Sequence, residues 1–302
     1  MADQVETTAG ETQLQLLEHQ VAGHGGVMRV GDGKVVAKPL IQREQEFYEA
    51  SIRCAKFKAF IPEYYGTLQQ EGVPDSSSAA GAGSYICLEN LTAGYERPCI
   101  LDVKIGKRLY DIDASPEKLA RMAKKAQEST IGLLGVHISG MSVAGVTSPA
   151  RDWLRKLTVE TIKGAFAMYF SGAESLVSAE YRRFVIEQFI QEVEELAVVI
   201  KSVETRMYSS SLLFVYDASK TRHEQFVSRG KCGSDKGSTD SDGDDDDDDD
   251  SSDGLLDVKA IDFAHSHWVP GQGCDELYLD GLENLAEIFR GLLHEEPVAG
   301  GE

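Results

Sequence analysis

The stretch PCILDVKIGKR, residues 98–108, decides the fold of the chain and raises the question of its chemistry. Successive side chains of a β-strand point to opposite faces. We therefore expect Leu101 and Val103 to face a core, and Asp102 and Lys104 to lie together on the other face. The simplest interpretation is a solvated face carrying a weak ion pair, whereas the alternative is one wall of a binding site. The rest of the sequence has to decide between them.

Length and composition are those of an ordinary globular protein. With 302 residues, 42% of them hydrophobic and 26% charged, the chain can form one large domain or two lobes. No apolar run approaches the roughly 18 residues of a membrane span, and the acidic start MADQVETTAGETQ is unlike a secretory signal. We therefore expect an intracellular protein without a transmembrane segment.

Cysteine and histidine spacing does not indicate a metal site. The H-x-H pair of His265 and His267 lacks further ligands, so a zinc site there is a weak alternative. The five cysteines form no C-x-x-C pair, and we expect them to be reduced and mostly buried. They are Cys54, Cys87, Cys99, Cys232 and Cys274.

The net charge of −20 is distributed unevenly. Eleven aspartates and one lysine between Gly233 and Gly254 carry −10, and such a segment cannot bury apolar surface. We expect a disordered acidic insertion at 233–254. In contrast, residues 104–125 hold seven Lys or Arg against three acids. The overall acidity argues against direct nucleic-acid binding, while the local excess of cations needs an anionic partner to explain it.

The first third of the chain predicts a small α+β lobe. Two short strands surround a Gly-Asp-Gly turn in residues 27–38. Residues 42–58 have helical spacing, which places four apolar side chains on one side: Phe47, Ile52, Ala55 and Phe57. Two strand-like segments, 60–70 and 84–90, flank a loop rich in Ser, Ala and Gly. The predicted lobe ends near Leu91.

The remainder predicts a second, larger lobe that begins with the opening strand. Ser115 is a suitable N-cap with Pro116 at the first helical position, so a basic helix is expected over 115–128. The acidic insertion then interrupts a hairpin, which is tolerable at a loop tip. The other predicted elements are strands at 133–143, 208–217 and 255–264, and helices at 151–171, 178–205 and 279–294.

The strand LDVKAIDFA, 256–264, carries a carboxylate at an unusual position. A period of two aligns Asp262 with Val258 and Ala260 on the apolar face. A carboxylate there is costly unless it is paired or bound to a metal. The alternative is an aspartate at the strand end that caps a turn.

Lys38 and Glu44 suggest a nucleotide site. Lys38 ends an early strand and Glu44 begins the following helix, as in the lysine–glutamate pair by which protein kinases hold phosphates. The segment ICLEN, 86–90, with Leu91 could present backbone groups to adenine. No G-x-x-x-x-G-K-[ST] loop, H-R-D or D-F-G motif occurs, which excludes an ordinary P-loop enzyme or protein kinase.

The helix at 115–128 is the clearest cationic element. Lys118, Arg121 and Lys125 lie three and seven residues apart, hence on one face. A ligand with several phosphates, each carrying roughly −1.5 to −2 charges, would match this face. A solvated lysine face is the usual meaning of such a pattern.

Taken together, these segments resemble the inositol polyphosphate kinase family, most closely its multikinase branch. The family signature P-x-x-x-D-x-K-x-G is reproduced by Pro98, Asp102, Lys104 and Gly106. Further matching segments follow in the right order: EHQVAGH (18–24), Lys38-Pro39-Leu40, EFYE (46–49), SSLL (210–213) and IDFAHS (261–266).

The resemblance implies a two-lobed, kinase-like α+β fold with ATP in a cleft between the lobes. The N-terminal lobe would be 1–91 and the C-terminal lobe 92–302. ATP and Mg²⁺ would be the cofactors, with Asp262 as a catalytic magnesium ligand and Ser211 nearby.

The resemblance also implies roles for the nucleotide-binding residues. Lys38 would contact ATP phosphates, and Glu44 would orient it. Glu89 and Leu91 would supply backbone groups to adenine. Asp102 would hold the ribose hydroxyls.

On the acceptor side, the resemblance implies that Lys104 reaches both the transferred phosphoryl group and the inositol. Arg121, Lys125 and His265 would bind inositol phosphates. The chain departs from the family pattern at two positions: His137 stands where many relatives carry arginine, and Ser142 where some have a basic residue.

The expected activity is transfer of the ATP γ-phosphate to inositol trisphosphate and tetrakisphosphate, giving the pentakisphosphate. The short span between the signature strand and the basic helix favours a multikinase over a trisphosphate 3-kinase, while IDFAHS is shared with hexakisphosphate kinases. Both remain alternatives, as does a non-catalytic protein whose Asp244–Asp250 run binds basic proteins. The family resemblance alone implies location in nucleus and cytoplasm.

Overall fold

The computed structural model describes most of the chain with several gaps. The described residues are 14–16, 26–69, 83–111, 115–127, 129–144, 146, 148–171, 177–222, 224–225 and 256–294. The acidic insertion at 233–254, including Asp244–Asp250, lies outside these residues, as do the side chains of Lys118 and Lys125. None of the helices formed by the described residues combines the length and apolar character needed to cross a bilayer.

The first part of the chain forms an antiparallel five-stranded sheet with two helices. Its strand order is β1-β2-β3-β5-β4, and the elements are β1 (Leu14–Leu16), β2 (Met28–Val30), β3 (Val35–Pro39), α1 (Gln42–Ser51), α2 (Ala55–Lys58), β4 (Tyr64–Gln69) and β5 (Ser84–Glu89). The predicted strand pair in 27–38 is confirmed, with β2 and β3 joined across a turn. The division of the chain at residue 91 stays a prediction.

The single helix expected over 42–58 is wrong, because the chain breaks between α1 and α2. Ile52 was expected on the apolar face but is 40% exposed at the end of α1. Phe47 and Phe57 are buried as expected, and both rings pack against Phe263. The break lets both helices turn an aromatic side chain towards one cluster.

The rest of the chain forms a four-stranded antiparallel sheet, a two-stranded ribbon and six helices among the described residues. Strand orders are β10-β9-β6-β7 and β11-β8. The elements are β6 (Pro98–Ile105), α3 (Pro116–Gln127), α4 (Thr130–Leu134), β7 (Val136–Ser142), α5 (Arg151–Leu154), α6 (Val159–Ser171), α7 (Ala179–Ser202), β8 (Thr205–Met207), β9 (Ser211–Asp217), β10 (Leu256–Ile261), β11 (Ser266–Trp268) and α8 (Glu276–Leu293).

The sequence located most of these elements but misplaced several boundaries. The helix expected over 151–171 is two helices, α5 and α6, and the helix expected to reach residue 205 ends at Ser202 because β8 begins at Thr205. The short helix α4 and the strand β11 were missed. The hairpin pairing is confirmed: β9 and β10 are antiparallel neighbours, and the acidic insertion falls between them in sequence.

The alternation predicted for the opening strand is confirmed. Leu101, Val103 and Ile105 are fully buried in the core, whereas Asp102 and Lys104 share the opposite face of β6. β6 is hydrogen-bonded to β7 on one side and to β9 on the other. A central position fixes both side chains firmly, because neighbouring strands support them from two directions.

The cysteine expectation is partly wrong. Cys54, Cys87, Cys99 and Cys274 are free, but only Cys99 of these four is buried. Cys232 lies outside the described residues.

Glycines set the distance between α8 and the end of β6. Gly106 has φ of +95°, and its N–H donates to the carbonyl of Gly135 at 2.8 Å. A Cβ on Gly281 of α8 would lie 2.6 Å from the oxygen of Gly135 and 2.9 Å from the nitrogen of Gly106. The signature glycine, Gly106, is thus required by its backbone conformation, whereas Gly281 is required by the close packing of α8.

We predict that Gly281→Ala destabilises the protein by about 2–3 kcal/mol, because its methyl group meets rigid backbone on both sides. Denaturant unfolding followed by circular dichroism measures this. Gly164→Ala is the matched control, since Gly164 lies in α6 with open space around its Cβ position. It should stabilise the protein by up to about 1 kcal/mol, and equal losses in both variants would contradict this account.

Candidate active site

A cluster of one lysine and two carboxylates joins the two sheets. Lys38 Nζ, on β3, donates to Glu44 Oε1 at 2.8 Å and to Asp262 Oδ1 at 2.6 Å. Glu44 belongs to the first turn of α1, and Asp262 directly follows β10. The sequence paired Lys38 with Glu44, and the structure adds Asp262 as a second partner.

Burial and charge act in opposite directions on Lys38. Burial alone would lower the pKa of its ammonium group, but the carboxylates of Asp262 and Glu44 more than offset this and raise that pKa. Glu44 is fully buried, and its Oε1 also accepts from the N–H of Phe263 at 3.1 Å. Glu44 therefore ties β3, α1 and the segment after β10 together.

The sequence left two positions open for Asp262, on the apolar face of the strand or at the strand end, and the structure shows the second. β10 ends at Ile261, so Asp262 does not continue the apolar row of Val258 and Ala260. Asp262 has φ of 65°, a left-handed conformation, and its side chain is 29% exposed. This turn leaves Phe263, which is fully buried, to enter the core in its place. The carboxylate is consequently paired and accessible.

Asp102 is a buried carboxylate that lacks a full set of partners. Burial raises its pKa to about 6, against the opposing effect of the nearby Lys104 ammonium. Its Oδ1 atom has no hydrogen-bond partner among the described residues. The hydroxyl of Ser211, which is opposite Lys104 on β9, is buried beside this carboxyl group and lowers its pKa, but the two make no hydrogen bond of good geometry. Such atoms mark a place where a polar ligand would satisfy them.

A backbone carbonyl group holds the side chain of Lys104. Its Nζ donates to the carbonyl of Ser209 at 2.8 Å. Ser209 has φ of 57°, unusual for a residue other than glycine, and its hydroxyl donates to the carbonyl of Leu109. On the other side, His137 of β7 is directly opposite Lys104 and shares its face of the sheet.

One of the backbone groups that could contact adenine is already hydrogen-bonded within the protein. The N–H of Glu89, at the end of β5, donates to the carbonyl of Glu63 at 2.9 Å. Its carboxylate also accepts from the N–H of Glu63. Leu91 is buried just after the strand. Adenine contacts from the backbone groups of Glu89 and Leu91 stay a prediction.

The basic stretch after β6 is not one continuous cationic patch. Lys107 pairs with Asp280 of α8 at 2.9 Å, and the Arg108 guanidinium lies over the rings of Tyr110 and Tyr208. Arg121 is exposed on α3 and makes no ion pair with another described residue. Of the expected phosphate-binding residues on this helix, Arg121 is thus available to an anion, and the role of Lys125 stays a prediction.

The sequence missed a group of residues around Asp111. This aspartate is almost fully buried, and its carboxylate contacts Arg43, His265 and His267. The zinc alternative for the two histidines is not supported, because the described residues contain no group of three His, Cys, Asp or Glu arranged to hold a metal. No local pattern could have revealed Asp111, since its partners are 68 to 156 residues away.

Comparison with known proteins decides the family. A protein-family model described as "Inositol polyphosphate kinase" matches residues 85–290, more than half of the chain. The chain belongs to the inositol polyphosphate kinase family. It is therefore an ATP-dependent inositol phosphate kinase, and the predictions of family and of a kinase-like α+β fold are confirmed.

Two fungal family members are similar over nearly their whole length, and a human one over about half. The inositol polyphosphate multikinase of Saccharomyces cerevisiae is 30% identical, covering 91% of this chain and 97% of that protein. The multikinase of Schizosaccharomyces pombe is 28% identical, covering 94% of this chain and 100% of that protein. Human inositol hexakisphosphate kinase 2 is 33% identical, but the match covers 70% of this chain and 52% of that kinase.

A solved structure of a family member has the same fold. The crystal structure of an inositol phosphate multikinase from Saccharomyces cerevisiae, in complex with ADP and Mn²⁺, superimposes with a TM-score of 0.69 at 29% identity. The superposition covers 87% of this chain and all of that one.

We predict that Asp102→Asn makes the ligand-free kinase more stable at pH 7.5, by roughly 2 kcal/mol, because it removes a desolvated charge. The native pKa of about 6 exceeds the ordinary 3.8. At pH values between these two pKa values, Asp102 binds more protons in the native state than in the unfolded state. The stability of the wild type therefore falls as pH rises from about 4 to about 6. Denaturant unfolding at pH 4 and pH 7.5 measures the difference.

The matched control is Asp217→Asn, since Asp217 is equally buried but accepts from the N–H groups of Glu96, Arg97 and Ser219. That variant should lose stability at pH 7.5. A loss in Asp102→Asn at pH 7.5 comparable to that of the control would show that the Asp102 carboxylate is not under strain.

Proposed function

We propose that the chain is a multikinase that transfers the γ-phosphoryl group of ATP to inositol trisphosphate and tetrakisphosphate, toward the pentakisphosphate. One observation carries this proposal: Lys38 and Asp262, 224 residues apart, are joined at 2.6 Å, and both charges are close enough to act on the carboxyl group of Asp102. Similarity to two fungal multikinases over 97% and 100% of their lengths supports the multikinase branch.

The residues fit a nucleotide with a divalent cation. Asp262 is accessible, and the buried oxygens of Asp102 and Ser211, which make no hydrogen bond of good geometry, lie near it. Asp262 would hold Mg²⁺ with Ser211 close by, and further ligands would have to come from phosphate oxygens, as is usual for this ion. When bound, the metal neutralises charge on the transferred phosphoryl group.

The remaining nucleotide contacts follow from the family pattern. Lys38 would exchange its carboxylate partner Asp262 for ATP phosphates, with Glu44 retaining its orientation. Asp102 would accept hydrogen bonds from the ribose hydroxyls, which satisfies its free oxygen. The backbone of Glu89 and Leu91 would hold adenine.

On the acceptor side, Lys104 lies on the strand that also carries Asp102, and its ammonium group would reach both substrates. Arg121 and Lys125 of α3 and His265 would bind the phosphates of the inositol ring. Phosphoryl transfer through a loose transition state requires mainly positioning and charge neutralisation. A dedicated general base is therefore not required of these residues.

We predict that Asp262→Asn reduces turnover of inositol trisphosphate by at least about a hundredfold, because it removes the metal-holding carboxylate. Asp280→Asn is the control. Asp280 lies on α8, pairs with Lys107 and has no proposed role in the site. Radiolabelled phosphate transfer measures both. Wild-type turnover in Asp262→Asn would remove the catalytic assignment.

Identification of the products separates this proposal from its alternatives. We expect chromatography to show phosphorylation of both the trisphosphate and the tetrakisphosphate by the purified enzyme. Activity confined to the trisphosphate would indicate a 3-kinase, and preference for the hexakisphosphate would indicate a hexakisphosphate kinase.

We also propose that the Asp244–Asp250 run binds basic proteins and that the enzyme works in nucleus and cytoplasm. Deletion of residues 233–254 should leave turnover within about twofold of wild type, because the pairing of β9 with β10 does not involve these residues. Binding of the intact and shortened chains to histones measures the partner role. Loss of turnover on deletion would contradict the interpretation of a dispensable insertion.

A further inference from the structure

Asp111 is a buried carboxylate with three cationic or proton-donating partners from different parts of the chain. Its Oδ1 lies 2.8 Å from His267 Nε2, and its Oδ2 lies 3.1 Å from His265 Nδ1. The Arg43 guanidinium of α1 contacts the same Oδ2. The Asp111 side chain is 6% exposed, so this carboxylate depends on these partners to offset its burial.

The carboxylate fixes the state of the His265 ring. An ionised carboxylate only accepts hydrogen bonds, so His265 must carry a proton on Nδ1 to bond with Asp111. Its Nε2 makes no hydrogen bond to another described residue, and the side chain is 44% exposed. The ring therefore has one nitrogen held inside the protein and the other open to a ligand.

His265 lies beside the residues that hold Lys104. The N–H of Tyr208 donates to the carbonyl of His265 at 3.4 Å, and the next residue, Ser209, accepts from Lys104 Nζ. His265 also follows Asp262 by three residues. The segment Tyr208–Ser209 therefore contacts both the backbone of His265 and the ammonium group of Lys104, which places the open Nε2 near the end of β6.

Arg43 connects the same carboxylate to the nucleotide side. Arg43 and Glu44 are successive residues in the first turn of α1, and Glu44 orients Lys38. The first turn of α1 therefore contacts Asp111 through Arg43 and Lys38 through Glu44. His267, on β11, supports the other oxygen of Asp111 and keeps the carboxylate plane fixed.

We propose that Asp111 is a positioning residue for the acceptor substrate: it holds the imidazole of His265 so that Nε2 faces a phosphate of the inositol phosphate. The inference rests on the proposed function, in which His265 binds that substrate. With a phosphate bound, the ring would lie between two anions, and its doubly protonated form would donate one hydrogen bond to each. Asp111 itself does not touch the substrate.

The test compares Asp111→Asn, His265→Gln and the double variant in steady-state kinetics with inositol trisphosphate and ATP. We expect Asp111→Asn to raise the KM for inositol trisphosphate about tenfold, the scale on which loss of an orienting carboxylate is felt. The KM for ATP should stay within about twofold. His265→Gln should raise the acceptor KM at least as much, and the double variant should be no worse than His265→Gln alone.

Asp275→Asn is the matched control, because Asp275 is as buried as Asp111 but accepts from the N–H groups of Met207 and of Tyr278, where it caps α8. It should lower the melting temperature without changing the acceptor KM. Should Asp111→Asn fold poorly, Arg43→Gln removes one partner at a more exposed position and should raise the acceptor KM about threefold.

The outcomes separate the two levels of the proposal. Absence of inositol phosphate turnover in the wild-type enzyme would overturn the proposed function. Turnover in the wild type with an unchanged acceptor KM in His265→Gln would overturn only the role of His265 and Asp111. Equal increases in the KM for ATP and for the acceptor, or fully additive effects in the double variant, would show that Asp111 acts on general structure instead.

Discussion

The ammonium group of Lys38, held between the carboxylates of Glu44 and Asp262, is the interaction on which the site depends. It joins β3 of the first sheet to the end of β10 in the second, and Glu44 extends the connection to α1. Removing one partner of a buried ion pair leaves an uncompensated charge, which costs several kcal/mol. The two halves of the fold are therefore joined at the point where the nucleotide is proposed to bind.

The same site contains features that reduce stability without substrate. Asp102 is desolvated enough to raise its pKa to about 6, and neither its Oδ1 nor the Ser211 hydroxyl makes a hydrogen bond of good geometry. Asp262 adopts a left-handed backbone conformation that keeps its carboxylate accessible. Functional sites commonly keep such features because ligands relieve them, at some expense of stability. The core face of β6, by contrast, is fully packed and supplies the rigid support that these groups need.

The sequence predicted those parts of the structure that depend on local periodicity or on family motifs. The two faces of β6 and the pairing of β9 with β10 follow from alternation within single strands. The break between α1 and α2 was not predictable, because it serves an aromatic cluster that includes the distant Phe263. The end of β10 at Ile261 was missed for a related reason: burial of Phe263 and the pairing of Asp262 with Lys38 are long-range contacts that override the period of two.

The residues around Asp111 show the same limit at the candidate site. Asp111 counted only as an acid within a basic stretch, and His267 only as half of an H-x-H pair. Their association with Arg43 arises when three separate segments meet, and composition contains no trace of it. Family resemblance supplied His265 but not the carboxylate that holds it.

A crystal structure with a non-hydrolysable ATP analogue, Mn²⁺ and inositol trisphosphate tests the central claim most directly. The account predicts an anomalous manganese peak on the Asp262 carboxylate, Lys38 turned to the phosphates, and Asp102 hydrogen-bonded to the ribose. A manganese peak elsewhere, with the contact between Lys38 and Asp262 intact and the nucleotide outside the cleft, would contradict it.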